Sequence, residues 1–187
     1  EEEMTKTNYS VRYNKSIVIL HWLMLLLMIA VYSFIELRVL FPKGTEPREL
    51  MKTVHYMLGL TVLALVLIRI YFRASSTAPA IQPEPSRPAQ YLSKAMHLIL
   101  YALMIGMPIA GWLMLSAAGK TIPFFGLTLP ALVAENKDLA DTIKELHKTA
   151  GNIGYFLIAG HALAGLYHHY IKRDNVLKRM QLGKSGE

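Results

Sequence analysis

Residues 147–174, HKTAGNIGYFLIAGHALAGLYHHYIKRD, are apolar enough to cross a bilayer, yet they carry histidines at positions 147, 161, 168 and 169. An imidazole placed in hydrocarbon costs free energy unless it is paired, so these rings require partners. Read as a helix, at about 100° and 1.5 Å per residue, the stretch sets His161 roughly 21 Å along the axis from His147 and about 40° around it. The two rings share one face at two depths.

The whole chain agrees with a membrane reading. Its 187 residues are 53% hydrophobic, and the mean hydropathy is +0.30, high for a soluble domain of this length. There is no cysteine, which excludes disulfides, iron–sulfur clusters, thiolate-bound metals and covalently attached haem, and leaves histidine as the obvious metal ligand. The net charge of +7 sits at the edges of apolar runs, without the basic stripe and interleaved aromatics of a nucleic-acid binder. Anionic lipid headgroups are the expected partners of that charge, and no nucleic acid is expected.

Four segments reach the ~20 residues that a hydrocarbon core of about 30 Å demands: about 16–37, 50–72, 91–116 and 140–171, the last amphipathic at its start. They predict an all-α, integral membrane four-helix bundle formed by residues 1–187 as one domain. The first apolar run is too long for a cleavable signal and lacks a small-residue cleavage site. The acidic residues 1–3 precede Met4 and are left out of the argument. ASSTAPAIQPEPSRPAQ, residues 74–90, reads as an exposed extended loop between two hairpins. One side of the four spans collects Lys6, Arg12, Lys15, Arg69, Arg73, Arg87, Lys94, Lys172, Arg173, Lys178, Arg179 and Lys184. The other has Arg38, Lys43, Arg48, Lys52, Lys120, Lys137, Lys144 and Lys148, with seven acidic residues among them. The bias predicts that both termini are cytoplasmic.

With that orientation the histidines sort by depth. His55 and His147 each begin a span on the outer side and can share a ligand. His21 and His97 each begin a span on the inner side, and either can face His161. Such a bundle can hold two flat macrocycles stacked across the membrane. Gly59, Gly151 and Gly165 follow His55, His147 and His161 by four residues, which leaves a bare surface one turn on from each ring.

LHWL around His21, VHYMLGL around His55 and ELHKTAGNIGYFLIAGHALAGLYHHYIKRDN around His147 and His161 together resemble the bacterial cytochrome b561 family of four-helix, di-haem b proteins. The resemblance covers nearly the whole chain. It extends to FFGLTLPALVAENKDLADTIKELHK, which is similar to the branch that contains the membrane-bound superoxide oxidase. The resemblance implies two haem b groups in a multi-pass protein of the bacterial inner membrane, the outer bound by His55 and His147 and the inner by His21 and His161. His97 is then the alternative inner ligand, or a hydrogen-bond donor to a propionate, to the quinone or to a neighbouring helix. His168 continues the His161 face about 10 Å further in, toward the inner haem edge. His169 is turned by about 100° toward the interface.

No nucleophile-and-base constellation, dinucleotide fingerprint or intramembrane carboxylate pair is present, so the chemistry belongs to the cofactors. Two haems make a wire for single electrons, and the membrane supplies a quinone at the inner end. His168 is the candidate donor to its carbonyl, with Ser16 and Lys15 as further candidates. Lys52 and Lys144 each precede an outer histidine by three residues and stand one turn outward. By themselves they read as interfacial snorkelling residues or propionate partners. With the resemblance they imply steering of a small anion, superoxide. Arg69 and Arg73 read as positive-inside anchors or propionate partners. The expected activity is therefore superoxide:ubiquinone oxidoreduction. The alternatives are a cytochrome b subunit docking on a redox partner protein, and a haem or metal carrier without redox role.

Overall fold

The computed structural model describes residues 12–183. Lys6 and Lys184, counted above for orientation, and residues 1–3 lie outside the described residues. Four long helices dominate: α1 Lys15–Leu37, α2 Glu46–Ala74, α3 Arg87–Ala117 and α4 Lys137–Tyr167. Their ends are set by ordinary capping chemistry. Asn14 and Asn136 accept from the Ser16 and Leu139 backbone N–H groups, each at 3.0 Å. Glu46 and Glu49 place negative charge in the first turn of α2, and Arg73 places positive charge in its last. A Schellman closure ends α3. Gly119 takes a φ of 66°, its N–H donates to the Ser116 carbonyl, and the Lys120 N–H donates to Leu115, both at 3.0 Å.

The all-α expectation omits one element. Part of the segment between α3 and α4 forms an antiparallel hairpin, β1 Ile122–Phe124 and β2 Leu127–Leu129. Phe125 and Gly126 both have positive φ, the signature of the two-residue turn whose twist matches paired strands. The hairpin has a core of its own: Ile122, 2% exposed, packs with Leu60 of α2 and Leu115 of α3.

Close helix contacts run from α1 to α2, α2 to α3 and α3 to α4, so α2 and α3 join the two helix hairpins. A second cluster, Met24, Val62, Val66 and Met104, forms an apolar layer across α1, α2 and α3. Large apolar side chains point outward, among them Leu26, Leu98, Phe156 and Leu163, as a lipid-facing surface requires. By length and composition α1, α2 and α3 qualify as membrane spans. The fourth expected span does not, because histidines, glycines and Asn152 interrupt the apolar run of α4, while Ile153, Phe156, Leu163 and Leu166 form an exposed apolar stripe.

The described ends of the chain meet at the end of the bundle that carries the α2–α3 loop. Tyr13 N–H donates to Arg179 carbonyl at 3.0 Å, Trp22 Nε1–H to Met180 carbonyl at 2.8 Å, and Gln82 N–H to Asn175 Oδ1 at 2.8 Å. Arg179 is 7% exposed, its guanidinium over the Tyr13 ring, and burial holds its pKa below the ordinary value.

Candidate functional site

The bundle brings five of the histidines into two clusters. At one level the rings of His55 on α2 and His147 on α4 stand 6.3 Å apart, centre to centre, and cross at 80°. At the other, His161 on α4 lies 6.1 Å from His21 on α1 and 5.5 Å from His97 on α3. The Met24–Val66 layer lies between the levels: Met24 follows His21 on α1, and Val62 and Val66 follow His55 on α2.

These spacings test whether haem fits. Two axial bonds of about 2 Å, plus about 1.2 Å from each nitrogen to its ring centre, call for rings roughly 6.4 Å apart. His55 with His147, and His21 with His161, meet that value, whereas His97 stands closer to His161. In the outer pair only His55 has its tautomer fixed by a hydrogen bond. His55 Nδ1–H donates to the Val31 carbonyl at 2.8 Å, so its Nε2 keeps a free lone pair. His147 Nδ1 is buried without a hydrogen-bond partner. The inner pair is prepared differently. Arg69 Nη2 lies 3.1 Å from His21 Nδ1, and a guanidinium only donates, so that nitrogen is the acceptor. Ligation through Nε2 then requires Arg69 to move. The sequence reading of Arg69 as an anchor missed this contact, since nothing local to either residue signals it.

A cleft of about 1310 Å³ opens from the first pair, above the few hundred to a thousand Å³ usual for small-molecule sites. Its walls include Gly59 and Gly151, as the spacing suggested. A Cβ at Gly59 would meet nothing within 4 Å, and one at Gly151 only Met107 Cε at 3.6 Å. Gly165, beside His161, is equally open. Gly111 was not foreseen: it follows no histidine by four residues, yet a Cβ there would stand 3.5 Å from His147 Cε1. Tyr32 and Tyr155 close one wall, their rings 4.3 Å apart. Tyr32 donates to the Gly151 carbonyl at 2.8 Å and Tyr155 to Glu36 at 3.0 Å.

All eight basic residues assigned to the outer side line this cleft, with four carboxylates, Glu36, Glu49, Glu135 and Asp141. Lys52 is paired with Glu49 at 2.6 Å, and Arg48 is committed to the carbonyls of Arg38 and Phe41 at 3.0 and 2.8 Å. Among the described residues, Lys144 is exposed and has no carboxylate within salt-bridge distance.

The other expected site residues gather near the inner cluster's end. His168 Nδ1 is paired with the Asp174 carboxylate, a contact between residues six apart that the sequence reading did not include. Ser16 sits in the first turn of α1, its N–H taken by the Asn14 cap. His169, expected at the interface, is half-buried, and its Nδ1 is buried without a partner.

The comparisons with known proteins agree with this architecture. The model of the family described as prokaryotic cytochrome b561 matches residues 12–183. "Cytochrome b561 homolog 1" of Escherichia coli K12 is 38% identical over 169 residues, covering 90% of this chain and 96% of that protein. "Probable superoxide oxidase CybB" of Yersinia pestis is 41% identical over 167 residues, covering 89% and 94%. "Cytochrome b561 homolog 2" of Escherichia coli K12 is 30% identical over 183 residues, 97% of each chain. With a matching family model over almost its full length and relatives covered end to end, the chain belongs to the prokaryotic cytochrome b561 family, multi-pass haem b electron-transfer proteins of the bacterial inner membrane.

Proposed function

We propose that the chain is a superoxide oxidase, removing one electron from each of two superoxide anions at the basic cleft and delivering the pair to ubiquinone at the opposite end. The reaction balances as two superoxide, one ubiquinone and two protons giving two dioxygen and one ubiquinol. The observation that carries this reading is the charge of the cleft, eight cations against four carboxylates above the His55 and His147 rings. Such a mouth concentrates a small anion and raises its arrival rate.

In this reading His55 and His147 hold one haem b and His21 and His161 a second, and the haems when bound supply the one-electron chemistry. The Val31 carbonyl orients His55 so that Nε2 is its ligating nitrogen. Lys144 carries more of the attraction than Lys52, whose charge Glu49 partly offsets. At the far end the Asp174 carboxylate holds His168 at Nδ1, which leaves Nε2 to meet a quinone carbonyl. Ser16 and Lys15, on the first turn of α1, complete the candidate quinone set. Positive charge near both termini puts that end in the cytoplasm and the cleft in the periplasm. The printed name of the Yersinia pestis relative is consistent with the assignment.

Rapid mixing of the purified protein with superoxide is the test. Haem reduction should be fast at low salt and slow as ionic strength rises, since screening shortens to about 8 Å near physiological salt. Lys52→Gln with Lys144→Gln should lower the rate and flatten the salt slope, while reduction by a neutral quinol should change little. A wild-type rate and slope in the double variant would remove superoxide steering from the reading.

A further inference from the structure

Beyond α4 the helix widens into one π turn over residues 168–172 and stops at Arg173, whose φ of 55° turns the chain back. Beside that reversal lies a second, open pocket of about 340 Å³, lined by His169, Tyr170, Arg173, Asp174 and Lys178. Its charges do not cancel. Asp174 is the one carboxylate in the lining, and both its oxygens are engaged, Oδ2 by His168 Nδ1 and Oδ1 by the Val176 N–H at 3.0 Å. Among the described residues neither Arg173 nor Lys178 has a carboxylate within salt-bridge distance. Two uncompensated cations beside one pocket call for an anion with several acceptor oxygens.

The surroundings say where that anion resides. Tyr170 and Ile171 are both 67% exposed, directly beside Lys172 and Arg173. Exposed aromatic and apolar side chains giving way to cations mark the depth where hydrocarbon meets headgroups. Leu163 and Leu166, 64% and 45% exposed on the last turns of α4, offer an apolar track toward the pocket.

We propose that this pocket binds the phosphate of an anionic phospholipid, with Arg173 and Lys178 on its oxygens and the acyl chains lying along the exposed face of α4. The site is independent of the redox assignment. Its occupant ties down the turn that carries Asp174, the partner of His168.

The test uses the full chain purified in detergent, titrated with phosphatidylglycerol, phosphatidylcholine or inorganic phosphate and read by native mass spectrometry. Phosphatidylglycerol should be retained at about one per chain, with phosphatidylcholine held more weakly. Arg173→Gln with Lys178→Gln should weaken phosphatidylglycerol binding about thirty-fold, from roughly fivefold for each cation near a membrane surface. Arg173→Lys with Lys178→Arg should restore it. Lys43→Gln with Lys137→Gln, at the other end of the bundle, should leave it unchanged. Equal retention of phosphatidylcholine, undiminished binding in the Gln variant, or an equal loss in the distant variant overturns the site. Displacement of the lipid by millimolar inorganic phosphate overturns the lipid assignment in favour of a free anion.

Discussion

At the scale of single residues, the ring spacings separate candidates that depth alone leaves equivalent. His21 and His97 both begin spans on the same side, and both contact His161, but at 6.1 and 5.5 Å. His21→Ala is therefore expected to abolish the inner haem signal, and His97→Ala to keep two low-spin haems with a perturbed inner spectrum. Pigment content and absorption of the two purified variants decide it, and loss of a haem in the His97 variant alone would reverse the assignment. His55→Ala or His147→Ala should leave one haem per chain, because the remaining ring of that pair lacks its opposite ligand. Two haems retained in either would break the pairing. The 3.6 periodicity made the shared face of His147 and His161 legible in sequence. The Val31 carbonyl on His55 and the Arg69 contact to His21 were not, because both bridge residues more than twenty apart.

At the scale of elements, helix ends are local chemistry and hairpin docking is not. Gly119 closes α3 in a left-handed conformation, and a Cβ there would run into the Glu135 side chain. Gly119→Ala should cost about 1 kcal/mol from backbone strain, more if Glu135 cannot give way, lowering the melting temperature by roughly 2–4 °C. Thermal unfolding followed by haem absorbance would register it, and an unchanged midpoint would mean that the turn relaxes. Ile122→Ala should cost more, about 2–4 kcal/mol, because it opens a void between the hairpin, α2 and α3. Asn14 and Asn136 cap α1 and α4 through contacts to N–H groups two and three residues on. The hairpin leaves no signal in the sequence because its strands are three residues long, too short for alternation to register. Its stability comes from Leu60 and Leu115.

For the whole molecule, the chain's two described ends and the α2–α3 loop close one end of the bundle, and the basic cleft opens near the other. In the proposed reaction that polarity separates the two substrates. His168→Ala should slow reoxidation of the haems by quinone without changing haem number or the rate of reduction by superoxide. Stopped-flow traces in both directions would check it, and unchanged quinone kinetics would move the site toward His97. The amino-acid sequence by itself determined the apolar segments, the histidine face of α4, the open glycines and the excess of cations near the outer histidines, since all follow from composition and helical spacing. Only the tertiary structure decided how far His21 and His97 stand from His161, that Gly111 faces His147, that Lys52 pairs with Glu49, and that Asp174 holds His168. Helix packing, the turn at Arg173 and the contacts across the bundle interior set those distances. They depend on how side chains far apart in the chain fill one volume, which no local periodicity encodes.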